Sequence, residues 1–440
     1  MDAFAPKRRL TMNILLIHSR IYKFICYPIM ILGLCLITNT ARSEVIDSTR
    51  TVLHDDIVHY TFDVDLGPEE FDTIRLHRVV REKFPGKPVA TVDGIFMLPG
   101  SPNYFEAIFM APSISAAIPW DHSIAVFLAK NGIDVWGMDY AWASVPLQTT
   151  DFGFMEGWGL ERDIDYAEQA LAAVRSIRVA TGQGKPRLHV LGFSYGVPIA
   201  YAIAGSETQQ PPGQRLVKGI ISVDYDLKVG DETQRQDSCT GAANGQDRVD
   251  AGSFQNDDGA FLMLVGQLAK NAPGGPSPFF TGLTNWQTAL LLGAIDNPLW
   301  HFVGGEFNEY GIPTGLSFTE PDLWVDLLMS IPPAVPRQTF IDVNTARCDE
   351  VDVPFDDHLG DVAVPILAVG AAGGAAPQPY THSLTSSQDI EQFTIQFLPD
   401  ELHFLDFGHG DLALANEAEA LVWQPILDWI LDHRSSKTYP

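Results

Sequence analysis

Apolar and polar positions along the 440-residue chain alternate between two periods. "TIRLHRVVRE" and "VATVDGIFMLPG" carry β-branched and apolar runs of strand length. "WDHSIAVFLAKNG" changes to a helical spacing, with Ile124, Phe127 and Leu128 on one face and Gly132 as the stop. "IDVWGMDY" reads as a strand. "LERDIDYAEQALAAVRSIRVATG" follows as a long helix, with Ile164, Ala167, Leu171, Val174 and Ile177 on one face. "PRLHVLGFSYG" and "LVKGIISVDYD" are further strands. Late in the chain come "VPILAV", a polar helix near Gln388 to Phe397, the strand "LHFLDF" and a final helix, "EAEALVWQPILDWILDH". Strands alternating with helices predict an α/β fold, a mostly parallel sheet with helices on both faces.

The alternation lapses between about Leu227 and Ala346, where "NAPGGPSPFF", "DNPLWHF" and "SIPPAVP" predict loops and short helices. This stretch reads as a cap or lid inserted into the α/β domain, over the carboxyl ends of the strands where such sheets bind ligands. The organisation expected is residues 1–43 as a leader, 44–226 as the first part of the core, 227–346 as the insertion and 347–440 as the second part of the core.

The leader has basic residues at Lys7, Arg8, Arg9, Arg20 and Lys23, an uncharged apolar run from Ile25 to Ile37, and small residues at Ala41 and Ser43. That is the order of a cleaved secretory signal, and the run is too short to span a bilayer. A secreted or periplasmic protein without a membrane span is expected. Two cysteines then remain, Cys239 and Cys348, and an oxidising compartment would pair them. The net charge of −27 excludes a nucleic-acid partner, which needs a basic face. The sequence is silent on oligomeric state.

The strongest chemical motif is Gly192-Phe193-Ser194-Tyr195-Gly196, placed after an apolar strand and before a helical stretch. This context predicts a nucleophile elbow, with Ser194 above the sheet and the Tyr195 N–H facing a developing oxyanion. The base belongs near the end of the chain. Of the two histidines in "LHFLDFGHGDL", His409 sits in a glycine-flanked loop and is the candidate; His403 is expected to pack on the sheet. Asp411 is expected to cap the following helix or position the loop.

These segments together resemble the α/β-hydrolase superfamily, in particular its acid-lipase-like branch. The residues that carry the likeness are "GIFMLPG", "NGIDVWGMDYAW", "DFGFMEGWGLERDIDYAEQAL", "HVLGFSYG" and "FGHGDL". The resemblance implies a serine hydrolase acting on small-molecule or lipid-like carboxylic esters, with no cofactor and no metal. It places a second oxyanion donor at Ser101, since Pro102 has no N–H. It also implies an acid after "VPILAV", but Gly370 to Ala376 hold no carboxylate. Some members carry the acid one strand earlier, which points to Asp224 first and Asp226 second. Asp139, on the other side, is expected to be structural. Amide hydrolysis or acyl transfer on the same three groups, and a non-catalytic binding protein on the same fold, are the alternatives.

Two other readings are excluded by spacing. "GAAGGAA" lacks the pattern of a phosphate-binding loop, and "DRVDAGSFQNDDG" lacks that of a calcium loop and is expected to be a solvated loop.

Overall fold

A computed structural model describes residues 44–184, 187–295 and 300–434. The expected leader, 1–43, lies outside the described residues. A long sheet runs in the order Glu44–His54, Ile57–Asp65, Thr73–Phe84, Ile133–Asp139, Asp93–Leu98, Leu188–Phe193, Val217–Val223, Ile366–Ala371, Ile390–Ile395. The first three are antiparallel to their neighbours, and the last six run parallel to one another.

Both faces of the inner parallel strands are covered, so their residues are mostly apolar. Alternate positions feed opposite layers. Ile95, Met97, Leu191 and Ile221 join a core shared with the helices Ile124–Lys130 and Gln424–Asp432. Phe96, Leu98, Val190 and Ile220 join a core on the other face, shared with Leu160–Ala180 and Gly196–Thr208. The apolar stripe expected on the long helix is there: Ile164, Ala167, Leu171 and Val174 are buried.

Three expectations from the sequence are corrected, and one element is new. The polar stretch before Thr73, in which the sequence shows no element, is a hairpin, Glu44–His54 paired with Ile57–Asp65, which extends the sheet. Exposed positions on this edge removed the apolar signal. The segment near Gln388 to Phe397 is not a helix. Ile390–Ile395 is an edge strand in parallel register with Ile366–Ala371, and its outer side is polar because that side meets water. "LHFLDF" is not a strand. Asp400–Leu405 is a 3₁₀ turn, closed because the buried Asp406 carboxylate accepts the N–H groups of Phe397, Leu398 and Phe407. His403 is therefore half-exposed, its Nδ1 against the Asp400 carbonyl at 3.0 Å, rather than packed on the sheet.

The stretch 227–346 contains more helix than its sequence suggests: Glu232–Asp250, Asp258–Asn271, Asn285–Ala294, Pro321–Ser330, and most of Arg337–Cys348. Glu232–Asp250 is polar on nearly all sides and buries only Ser238, so no periodicity marks it. The tract expected to be a solvated loop begins inside this helix, at Asp247. Asn285–Ala294 does announce itself. Thr284 accepts the Gln287 N–H, and the Gln287 side chain accepts the Thr284 N–H, a reciprocal cap.

A disulfide joins Cys239 on Glu232–Asp250 to Cys348, 109 positions later, at the end of Arg337–Cys348. It closes the insertion at its base. Replacing both cysteines by serine should lower the unfolding free energy by about 2–5 kcal/mol. Denaturant unfolding of the oxidised protein against the double variant measures this, and equal midpoints would refute it.

Candidate active site

The elbow is built by two close approaches. A Cβ on Gly192 would lie 2.3 Å from the Gly196 carbonyl oxygen, and one on Gly196 would lie 2.3 Å from the Leu98 oxygen. Only glycine fits either place. Between them Ser194 takes a left-handed backbone, φ 54°. Its N–H donates to Val223 O at 3.0 Å, and its carbonyl accepts the Val197 N–H at 2.8 Å. Ser194 thus stays partly exposed while its neighbours on both sides are buried. Strained non-glycine residues of this kind cost about 1–3 kcal/mol and gather at functional sites.

Tyr195 starts the helix Gly196–Thr208, and among the described residues no backbone acceptor meets its N–H. Its ring is fixed from behind. The hydroxyl donates to Asp163 at 2.8 Å, and Trp142 Nε1–H approaches the same carboxylate at 3.4 Å. Burial pushes the Asp163 carboxyl up to about 6, although the Tyr195 bond pulls the other way.

Gly100 lies against the serine. A Cβ there would come 2.6 Å from Ser194 Cβ and 3.2 Å from Ser194 Oγ. Ser101 follows, with its Oγ buried and without a hydrogen-bond partner among the described residues. The turn is held by Tyr140 OH to Pro99 O at 3.0 Å and by Asn103 N to Gly100 O at 2.8 Å. The long stretch after Pro102 forms the helix Phe105–Phe109 and a 3₁₀ turn, Ala111–Ser113. Asp139 has the structural position expected of it: one oxygen accepts the Phe105 N–H at 2.7 Å and the other meets His77 Nε2 at 3.0 Å.

His409 is buried, and its Nδ1 meets Asp224 Oδ2 at 2.7 Å. The residue expected as base and the first of the two expected acids are thus brought together. Asp224 ends its strand in a left-handed conformation, φ 51°. Three more donors converge on its carboxylate. Ala371 N and Ala376 N reach Oδ1, each at 3.1 Å, and Ala375 N reaches Oδ2 at 2.9 Å. The glycine-alanine run, which has no acid of its own, therefore supplies main-chain amides to the acid of the neighbouring strand. A Cβ on Gly374 would fall 2.0 Å from Asp224 Oδ2, so small residues are what let the carboxylate in. Asp226 points elsewhere. It accepts the N–H groups of Tyr380 and Thr381 and the Thr381 hydroxyl, and burial pushes it up to about 6.

The histidine loop leans on the insertion. His409 N donates to His301 O at 3.0 Å, and Gly410 N to Phe302 O at 2.6 Å. Gly408 and Gly410 are required by this approach, because a Cβ on either would strike His301 or Phe302. The rings of Phe193, Trp300 and Phe302 stand 4.7, 5.1 and 5.6 Å from the imidazole, centre to centre. Trp300 and Phe302, in the insertion, carried no readable motif; only their aromatic character was visible.

Asp411 positions the loop, one of the two roles expected of it. Its Oδ2 accepts Gly408 N and Gly304 N, each at 2.8 Å, and its Oδ1 accepts Thr319 Oγ1 at 2.6 Å. It joins the histidine loop to the insertion, and burial pushes it up to about 7. The bonding pattern gives an expected result. Asp411→Asn keeps one oxygen for both amides and turns its NH₂ to the Thr319 oxygen, so activity should stay within about 3-fold. Asp411→Ala orphans two buried amides, at about 1–3 kcal/mol each, and should lower both melting temperature and turnover. Equal effects of the two substitutions would refute this account.

A six-strand parallel sheet, a strained serine at a strand-to-helix turn and a buried histidine-aspartate pair at the strand ends define the α/β-hydrolase fold. No known family profile and no curated protein matches the sequence. Solved structures do. A lipase candidate from Sulfolobus solfataricus superposes with a TM-score of 0.62 at 17% identity, over 90% of this chain and 100% of that one. A soluble variant of the Saccharomyces cerevisiae monoglyceride lipase covers 90% of this chain and 99% of its own, at 11% identity and TM-score 0.43. The juvenile hormone epoxide hydrolase of Bombyx mori covers 87% of this chain and 78% of its own, at 14% identity and TM-score 0.43. The first of these places the chain in the α/β-hydrolase fold. No helix among the described residues is long and apolar enough to cross a membrane.

Proposed function

We propose that the protein is a secreted serine hydrolase that cleaves carboxylic esters through an acyl-enzyme on Ser194. The observation that carries this reading is the 2.7 Å bond between His409 Nδ1 and the amide-cradled Asp224 carboxylate, on the fold whose elbow presents Ser194. In this reading His409 takes the Ser194 proton as Oγ attacks the ester carbonyl. Asp224 holds the imidazole in the required tautomer and stabilises its charged form. The N–H groups of Tyr195 and Ser101 receive the oxyanion, each worth on the order of 3 kcal/mol in the transition state. His409 then returns the proton to the leaving alcohol and activates water to release the acid.

Residues 227–346 act as the cap. Trp300 and Phe302 beside the imidazole favour an apolar or aromatic group on the substrate. The disulfide supports passage through an oxidising compartment, as the leader implies. The test is a chain-length series of p-nitrophenyl esters together with a fluorophosphonate probe. Turnover and labelling that both vanish in Ser194→Ala are expected. Turnover by Ser194→Ala at the wild-type rate would overturn the proposal.

A further inference from the structure

A second cluster of chemically able side chains lies in the antiparallel part of the sheet. His59 on Ile57–Asp65 and His77 on Thr73–Phe84 are diagonal neighbours, because His59 pairs with Val79 and Thr61 with His77. Their side chains therefore share a face. Glu106, on the helix Phe105–Phe109, completes the group, and one ligand atom from each of the three lies within 4.8 Å of the others. We propose that His59, His77 and Glu106 bind a divalent transition-metal ion of the zinc type, with Asp139 orienting His77 from behind.

Three features of the cluster support this. First, the spacing suits an ion. His59 Nε2 and His77 Nδ1 are 3.0 Å apart. Two imidazole nitrogens on one tetrahedral zinc, with bonds of about 2.0–2.1 Å, stand about 3.3 Å apart. The rings are near-parallel, at 8°.

Second, the histidines are held as ligands. His77 Nε2 donates to Asp139 Oδ2 at 3.0 Å, which leaves its Nδ1 unprotonated. Metal-binding histidines are oriented by carboxylates in this way. His59 Nε2–H then donates to His77 Nδ1, and His59 Nδ1 stands 3.6 Å from the Glu106 carboxylate. Burial favours the neutral imidazole, the form that ligates a metal. When the ion enters, the His59 proton passes from Nε2 to Nδ1, so the ring stays neutral, and His59 Nε2, His77 Nδ1 and the carboxylate become ligands.

Third, the cluster is accessible from one side and tied to a functional element on the other. The Glu106 side chain is 33% exposed, which gives the ion an entry. Asp139 accepts the Phe105 N–H, and Phe105 stacks on His77 at 4.6 Å. An ion here would fasten the hairpin to the helix that follows the Gly100–Ser101 turn. The family resemblance implies no metal, and the three residues lie far apart in the chain.

The test is cobalt(II) titration of the chelator-stripped full-length protein. Tetrahedral cobalt bands in the visible, saturating at one equivalent and erased by zinc, are expected. Zinc should also raise the melting temperature of the stripped protein. His59→Gln and Glu106→Gln should each lose the bands and the thermal shift. Glu106 is partly exposed, so its variant folds even where the histidine variant does not. The exposed group Asp389, Glu391 and His433 serves as the control, and His433→Gln should leave the bands unchanged. No saturable cobalt band, or a full band in Glu106→Gln, would overturn the proposal.

Discussion

Ser194→Ala is expected to lower kcat on short-chain p-nitrophenyl esters by about 10⁵- to 10⁶-fold, the scale on which serine hydrolases lose rate when the nucleophile is removed. Circular dichroism and melting temperature should be close to wild type. The argument rests on the elbow. The left-handed backbone at Ser194 is imposed by Gly192 and Gly196, and alanine bears the same Cβ penalty as serine. Ser194→Gly separates strain from chemistry. It should lose the same activity yet gain about 1 kcal/mol of stability, since glycine occupies this backbone region at no steric cost. Urea unfolding measures the gain. A loss of stability in Ser194→Gly would refute the strain account, and residual turnover above 1% of wild type (a threshold of about 10⁻², against the loss expected) in either variant would refute the role of the hydroxyl.

Asp224→Asn is expected to lower kcat by about 10⁴-fold, the scale reported for a triad acid replaced by its amide, and to destabilise the protein as well. The second effect follows from the donor count. Four N–H groups meet this carboxylate, two on each oxygen. An asparagine NH₂ turned to Ala371 and Ala376 orphans both amides; turned the other way it orphans the Ala375 amide and forces His409 into the wrong tautomer. Orphaning buried donors costs about 1–3 kcal/mol each. The left-handed backbone is not the cause of the loss, because asparagine tolerates it. Asp226→Asn gives the contrast. Its Oδ1 meets Tyr380 N, Thr381 N and Thr381 Oγ1, so an amide oxygen keeps these and gives up only the second, shared contact of Tyr380 N with Oδ2. Turnover there should stay within about 10-fold of wild type. Parallel kcat and denaturation measurements on the two variants decide the matter. The reverse ranking would move the acid to Asp226. Gly374→Ala extends the test without changing a charge, because its Cβ would sit 2.0 Å from Asp224 Oδ2 and push the carboxylate off its amides.

What was legible in the sequence was legible for local reasons. Buried parallel strands are apolar at most positions, so "GIFML", "IDVWGM" and "VKGIISV" announce themselves. The long helix shows its stripe, and the elbow shows its two glycines. His409 was separable from His403 because glycines flank only the former. Elements that meet water or another partner on one side were lost. The hairpin from Glu44 to Asp65 and the edge strand Ile390–Ile395 carry polar residues on their open sides. Glu232–Asp250 has no apolar face, and the partners that hold it, a disulfide and the helix Arg337–Cys348, lie about a hundred positions away.

The site divides along the same line. The sequence alone determined the turn that lifts Ser194, because the Gly192 and Gly196 contacts lie within a few residues or at the adjoining strand end. It also shows that no acid follows "VPILAV", and the resemblance to the hydrolase superfamily then pointed to Asp224 or Asp226. Only the tertiary structure decided between these two. The amides of Ala371, Ala375 and Ala376 converge with the His409 imidazole on Asp224, while the Tyr380–Thr381 amides take Asp226. The physical reason is that a hydrogen bond reaches about 3 Å in space, whatever the distance along the chain. The donors that choose Asp224 stand roughly 150 to 185 positions beyond it, on a loop whose small side chains leave room for the carboxylate to enter.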